Sequence, residues 1–494
     1  MKFVLKLFSL ILMVMLIVIA YRTATMANHY PAIAQIETIE IDENQVAQRL
    51  SEFIQIKTLS RQVPQADDEL AFIEAQQWLK ASYPNTFNAT AQTVINRQSL
   101  LLHWPGSSQS LKPLLWTGHM DVVPVEPGTE QAWTYPAFSG ALAEGDIWGR
   151  GAIDMKSTVI AMMEAVEYLI ENNYQPRRDL YLALTHDEEK GGKQGAGAIT
   201  QHLKDNGIQA AWSMDEGGGI GHDGMYPDVD KPVALIAVGE KGYISLRITA
   251  TASGGHSSMP DGQDLALVTL ANAITKLNSR QFPSQLNGAT KDMMLTLAAE
   301  MPFIKRIALA NLWLFESWVI NSMQNSRQQA PMIRTSIAPV IIQGGSKENI
   351  LPQKASVVVN FRIHPNDTGD SVLAYVEKVV AAPNIAVSLL EGSNMTNASS
   401  MANMDSPGYR LISRSIREIY GDTVVAPNMT VGGTDSKHYQ AVADETYRFT
   451  PMLLSPRYLG GAHGTNEKIS ISNMDDMVRF YVRLKKNSDQ SQLF

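Results

Sequence analysis

The sequence predicts an α/β fold: a mostly parallel sheet covered by helices forms a main domain, and a smaller α+β domain is inserted in it. Three observations predict this. Residues 45–238 alternate helical periodicity with short apolar runs. Residues 239–395 change to strict period-two alternation, and from 396 to 494 the first style returns. At 494 residues the chain is long enough for two sizeable cores.

Taken in order, Lys2 and Lys6 precede the apolar run "LFSLILMVMLIVIAY". Counted from Phe3, the segment 1–24 approaches the roughly 18–20 residues that span a bilayer. We read it as an uncleaved anchor. A signal peptide cut near the small residues at 25–27 is the alternative. Both readings export the remainder, because positive charge stays inside. The body of the protein is then expected to be membrane-anchored outside the cytoplasm (periplasmic in a bacterium), or secreted after cleavage. Residues 25–44 read as a polar linker.

Within 45–238, "QVAQRLSEFIQI" and "DELAFIEAQQWLKASY" carry apolar residues at helical spacing. "LKPLLWT", "RRDLYLALTH" and "AAWSM" are short apolar runs that end in polar clusters. In "GYISLRITATA", Ile244, Leu246 and Ile248 share one face; in "ASVVVNFRIHP", Val357, Val359, Phe361 and Ile363 do. Such strands suit a half-buried sheet with helices on one side. Residues 284–335 form an apolar helical insertion with Phe303, Trp313, Phe315 and Trp318 close together. We read these as packing within the inserted domain or at a dimer interface; a lipid-facing or acyl-binding surface is the alternative. Ser406-Pro407 opens a helix that Gly421 closes.

Composition narrows the chemistry. The formal charge is -8 and no basic run offsets it, which argues against a nucleic-acid binder. With no cysteine, disulfides and thiolate sites are excluded, so any metal must be held by His, Asp or Glu. Three strand-like runs end in such residues: His119 and Asp121, then Asp187, Glu188 and Glu189, then Asp215 and Glu216. In open α/β sheets, ligands bind beyond the carboxyl ends of the strands. Asp154 lies at or before a helix start, where an ordinary helix-dipole carboxylate is the alternative. His463 sits in a glycine-rich loop, where a lone histidine is more often an ordinary surface residue. The Glu188-Glu189 pair fits either a solvated loop or a division of labour, one carboxylate on a metal and its neighbour acting as general base.

"TGHMDVVP", "GRGAIDMKS", "HDEEKGG", "SMDEGG", "GGHSSMP", "GGTDS" and "HGTNEKIS" occur in that order. In this the chain resembles the zinc aminoacylase and carboxypeptidase family of metallopeptidases, which is glutamate carboxypeptidase-like. It looks most like the carboxypeptidase S and secreted N-fatty-acyl-amino acid hydrolase/synthase branch. The resemblance implies two Zn2+ per subunit, with Asp154 bridging them. His119 and Asp215 complete one site, and Glu189 and His463 the other. Between Asp215 and Glu216 we choose Asp215, which immediately follows the strand. Glu188 would be the general base acting on a metal-bridged hydroxide, and Asp121 would orient His119.

By the same resemblance, the inserted domain is a lid through which the protein would form a homodimer. His256 would stabilise the carbonyl oxyanion, and Asn349 and Gly433 would contact substrate. Arg362, read from its place on the polar face of its strand, could bind a substrate carboxylate through its planar fork. A turn histidine and a surface ion pair are the alternatives for His256 and Arg362. The expected substrate is a small N-acyl amino acid or a peptide cut at its C-terminal bond. A dipeptidase of the same fold, or a non-catalytic binding protein on this scaffold, is the competing function.

Overall fold

Strands covered on both faces read as continuous apolar runs, because each successive side chain points into a different core. Leu180–Thr185 follows this rule in the computed structural model. Leu180, Leu182 and Leu184 enter the large core, whereas Tyr181 and Ala183 enter a smaller core on the opposite face. The structure describes all residues except 34, 35, 62, 64, 66, 227, 261, 263, 264, 394, 459 and 491–494. The last of these, at the end of the predicted 396–494 segment, lie outside the described residues.

Among the described residues the main sheet has ten strands. Its path runs Ala91–Ile95, Ser99–Trp104, Leu180–Thr185, Leu114–His119, Trp212–Asp215, Thr446–Arg448, Val233–Glu240, Gly219–Gly221, Leu453–Leu454, and Val424–Thr430 also pairs with Val233–Glu240. Leu114–His119 is parallel to both its neighbours, and Trp212–Asp215 is parallel to Thr446–Arg448. The pairs at one edge are antiparallel, as are those of Val233–Glu240 with Thr446–Arg448 and Gly219–Gly221, whereas Leu453–Leu454 and Val424–Thr430 pair in parallel, so the sheet is mixed. The hairpin at one edge explains part of this: Asn96 and Arg97 both take positive φ in a short turn, which joins antiparallel strands.

The large core is closed by the helices Glu43–Gln55, Lys156–Glu171 and Ile471–Gln490, and Ala196–Asp205 covers the opposite face. Helix Lys156–Glu171 is buried almost all round, from Lys156 to Glu167. Helix Pro407–Tyr420 begins and ends as expected, with Ser406 Oγ accepting from Tyr409 N and Gly421 at φ +70°.

Between the main-sheet strands Val233–Glu240 and Val424–Thr430, the chain builds a separate antiparallel sheet of four strands. Their order is Ser336–Gly344, Lys354–Ile363, Gly242–Thr251, Ile385–Leu389. Ile244, Leu246, Ile248, Val357, Val359, Phe361 and Ile363 form its core with helices Ala266–Ser279 and Gly369–Val380.

The helical insertion folds as Gly288–Glu300, Phe303–Ala310 and Leu312–Gln324. Its first helix leans on the main sheet. Met293 and Leu297 pack with Val233, Val424 and Ala426. Residues 25–44 do not float free either: Tyr30 Oη accepts from Val425 N at 3.0 Å, and Ile39 is buried.

Candidate metal centre

The parallel pairing of Leu114–His119 with Leu180–Thr185 sets His119 opposite Thr185. The segment after Thr185 therefore emerges beside His119. It continues as the short turn Glu188–Lys190 and closes through Gly191 and Gly192, both at positive φ. A Cβ on Gly192 would lie 1.8 Å from Asp435 Oδ1, so only glycine permits this approach. Asp187 secures the turn by accepting from Gln194 N and Gly195 N, each at 2.8 Å.

Asp154 lies just before helix Lys156–Glu171, and its peptide bond to Met155 is cis. Each of its oxygens meets a different histidine. Oδ1 is 3.0 Å from His119 Nε2, and Oδ2 is 3.2 Å from His463 Nε2. His119 Nε2 is also 3.5 Å from Glu216 Oε1, and His463 Nε2 is 3.1 Å from Glu189 Oε1. Two three-residue donor sets result, His119–Asp154–Glu216 and Asp154–Glu189–His463.

These separations fit a metal. Donors on a tetrahedral zinc, with bonds of roughly 2.0–2.2 Å, are about 3.3 Å apart. Histidine nitrogens and carboxylate oxygens are suitable donors, and three per site leave a position for water or substrate.

The donor on the third strand differs from the expected one: Glu216, not Asp215, joins His119. Asp215 is the last residue of strand Trp212–Asp215, and its side chain is buried beside Asp435; its Oδ2 finds no hydrogen-bond partner among the described residues. Successive side chains of a strand point to opposite faces. Glu216 leaves the strand one residue later and is one methylene longer, so its carboxylate reaches the histidine.

Asp121 is more than an orienter of His119. The nearer partner of His119 Nδ1 is the Asp121 backbone oxygen, at 2.8 Å, with the carboxylate at 3.5 Å. That carboxylate accepts from Glu188 N and Glu189 N, each at 3.2 Å, and so ties two strand ends together.

Glu467 was not singled out from the sequence. It is fully buried, pairs with Arg150 at 2.7 Å, and accepts from Ile153 N and Asp154 N. It thereby couples the turn carrying Asp154 to the loop carrying His463. Its position as the acid of "HGTNEKIS" was the available signal.

The charges are mutually dependent. Burial opposes ionisation of Asp154, but hydrogen bonds from His119 and His463 hold its carboxyl well below the usual range. Hydrogen bonds to Asp154 and then Glu189 raise His463 to about 10. Burial lowers His119, yet the charge of Glu216 and the bonds to Asp121 and Asp154 carry it well above its ordinary value. Burial, then the Asp154 charge, lifts Glu216 to about 7; burial, then the Glu216 charge, lifts Glu188 well above the usual carboxylate range. A cluster that must hold protons to offset its carboxylates is one in which divalent cations can replace those protons.

A cavity of about 1110 Å³ opens over the cluster. Glu188, Glu189 and Gly433 line it from the main domain, and Lys241, Tyr243 and Arg362 from the second. The Arg362 guanidinium stacks 5.1 Å from the Tyr243 ring centroid. His256 and Asn349 are not brought there. His256 is exposed in a two-residue ladder, Gly255–His256 against Ile350–Leu351, with Ser258 N donating to its Nδ1 at 3.1 Å. Asn349 is its neighbour, its backbone oxygen accepting from Ser257 N.

A sheet with these donors at its carboxyl edge and a second, smaller sheet across the cavity defines a metal-dependent hydrolase. Residues 115–487 match the model of peptidase family M20/M25/M40, and the chain belongs to that family. It is 33% identical over 460 residues to the N-fatty-acyl-amino acid synthase/hydrolase of Xenopus tropicalis, covering 92% of this chain and 88% of that protein. It is also 33% identical over 453 residues to the probable carboxypeptidase S-like 2 of Dictyostelium discoideum, covering 91% and 86%. Among solved structures, an M20 family metallo-carboxypeptidase from Sulfolobus solfataricus shares the fold, with a TM-score of 0.65, 19% identity, and coverage of 90% and 99%.

Proposed function

We propose that this chain is a dinuclear zinc hydrolase cleaving the amide bond of N-acyl amino acids or the C-terminal bond of peptides. The observation that carries this is the Asp154 carboxylate, which offers one oxygen to each histidine-centred donor set. Two divalent ions held so would polarise the scissile carbonyl and activate water. The five protein ligands would be His119, Asp154, Glu189, Glu216 and His463.

Glu188 lines the cavity without belonging to either donor set. It is the general base, taking a proton from the attacking water and handing it to the departing nitrogen. Its raised affinity for protons, caused first by burial, suits both halves of that task. Arg362 offers a planar fork to the substrate carboxylate next to the scissile bond. The same cavity would serve a dipeptidase, the nearest competing activity. A non-catalytic binding role would have no use for Glu188.

The second sheet is the lid and, in this reading, the dimer interface. Its edge strand Ser336–Gly344 exposes Val340, Ile341 and Ile342, an unpaired edge of the kind another chain can cover. His256, exposed on that domain, and its half-buried neighbour Asn349 would then serve the partner's site. The N-terminal helix Lys2–Thr25 anchors the enzyme with its hydrolase body outside the cytoplasm.

The test uses the purified full chain, loaded with zinc, on a panel of N-acyl amino acids and dipeptides. Chelation should abolish turnover and zinc should restore it. Glu188→Gln should keep its metal yet lose roughly 10²–10⁴-fold in kcat. Full turnover by protein shown to be metal-free, or normal turnover by the Gln variant, would overturn the mechanism.

A further inference from the structure

The helix Lys2–Thr25 has a mean hydropathy of 2.9 in its most apolar window, none of which is buried. Its far end is nevertheless gripped. Asn311 Nδ2 donates to Thr23 Oγ1 at 3.1 Å and to Ile19 O at 3.4 Å. Arg22 Nε donates to Ala310 O, and Arg306 Nη1 to Met26 O, each at 3.1 Å. Asn28 Nδ2 donates to Thr296 O at 2.9 Å. The helical insertion is thus fastened to the last two turns of the apolar helix.

The same insertion leaves large apolar side chains uncovered. Phe303 is 50% exposed, Ile304 79%, Trp313 56%, Leu314 43% and Trp318 63%. Leu309, Leu312, Val319 and Met323, on the same two helices, face the core. The uncovered set is therefore an outer face, not a failure of packing.

Length says what covers it. From Phe3 to Ala20 an α-helix rises about 27 Å, against a hydrocarbon thickness of about 30 Å. The far boundary of the bilayer then falls near Ile19–Arg22, where Asn311 and Ala310 hold the helix. Side chains next to Asn311 lie at that boundary, the depth that tryptophan prefers. A cleft of about 720 Å³ beside them is lined by Arg22, Lys291, Glu316, Leu295, Leu309 and Trp313, so two cations and one carboxylate stand on apolar walls, a lining that suits a lipid headgroup and its chains.

We propose that residues 303–318 form a membrane-seated platform, with Phe303, Ile304, Trp313, Leu314 and Trp318 entering the headgroup–acyl boundary of the bilayer that the N-terminal helix crosses. This rests on the reading of that helix as an uncleaved span. The platform also reaches the catalytic cavity. Lys241, which lines the cavity, donates from Nζ to Pro331 O and Arg334 O, each at 2.8 Å, at the end of the insertion. Seating the platform holds the cavity at a set height over the lipid.

The chain has no cysteine, so single substitutions carry a site-specific probe. Ile304→Cys, Trp313→Cys, Trp318→Cys and the control Val94→Cys are each made in the full chain. Val94 is 52% exposed on the edge strand Ala91–Ile95, at the end of the sheet away from the insertion. Each is labelled with a fluorophore and reconstituted into phosphatidylethanolamine–phosphatidylglycerol vesicles. Lipid-borne quenchers should act at least roughly threefold more strongly at 304, 313 and 318 than at 94, and aqueous iodide the reverse. Quenching of the wild-type tryptophans by brominated lipid gives the same reading without a substitution. Flotation with the vesicles reads the anchor separately. A chain that floats while all four labels meet iodide equally overturns the platform and leaves the anchor standing. A chain that does not float overturns both.

Discussion

The two donor sets share Asp154 and use the same kinds of donor, yet they are built differently. His119 is 1% exposed, at the end of a strand buried on both faces, whereas the His463 side chain is 55% exposed, on a loop at φ +58°. The first half is held by the sheet itself. The second depends on a loop fixed from behind by Glu467. A ligand placed by a sheet is preorganised by the whole core; a ligand placed by a loop is only as ordered as the contacts that pin it.

The largest expected effect breaks both halves at once. Asp154→Ala should reduce bound metal from about two ions to near none, because it touches both donor sets. Against it, His463→Ala should release one ion and leave the buried half loaded. His119→Ala should do the converse and also lower stability, since it cuts into the core. Elemental analysis and thermal melting of the three proteins check this; equal losses from both histidine variants would erase the distinction.

A smaller effect concerns the pin. Glu467→Gln leaves the shape but weakens the grip on the Asp154 turn and the Arg150 pair. Affinity at the exposed half should fall roughly 10–100-fold, the usual consequence of losing an outer hydrogen-bonding partner. Competition with a calibrated chelator measures it, and an unchanged affinity would remove Glu467 from the account.

A graded effect follows from pH. In the metal-free protein His463 holds its proton up to about pH 10, and it must lose that proton to bind metal. Affinity at this half should therefore rise with pH, by up to about tenfold per unit between about pH 6 and about pH 9. Stability of the chelated protein should move the other way. A histidine whose folded pKa is raised supports the fold fully below its unfolded value, about 6.5, and loses that support as pH rises towards 10. Titration calorimetry and melting across that range read the two trends.

The smallest expected signal tests whether the second sheet completes a neighbour's site. Mixing Glu188→Ala with His256→Ala chains, under conditions that let subunits exchange, should restore activity to roughly a quarter of wild type if the enzyme is a two-fold dimer with shared sites. No recovery despite proven exchange would confine each site to one chain.

His119, Glu188 and Glu189 could be picked out as candidates from the sequence because their clues are local: an apolar run ends in a histidine, and two carboxylates stand side by side. His463 had no such clue and entered only through the resemblance carried by the ordered motifs. The alternation in Gly242–Thr251 and Lys354–Ile363 likewise shows which face is buried, since period two is a property of the strand alone. Whether Asp215 or Glu216 turns towards His119 is different in kind. It depends on where the strand stops and which way its last residue faces, and the pairing with Thr446–Arg448, more than two hundred residues later, decides both.

The sequence by itself determined the α/β layering, the insertion of a second sheet, the donor types available without cysteine, and an N-terminal segment apolar enough for a membrane. These follow from periodicity and composition, which neighbouring residues set between them. Only the tertiary structure decided that Glu216 completes the buried half, that Glu467 pins the exposed half, and that His256 and Asn349 stand outside the cavity. It alone decided that the helical insertion packs on the main sheet and grips the N-terminal helix. Each of these is a contact between distant segments. Burial and side-chain direction there come from packing against partners that no local pattern names.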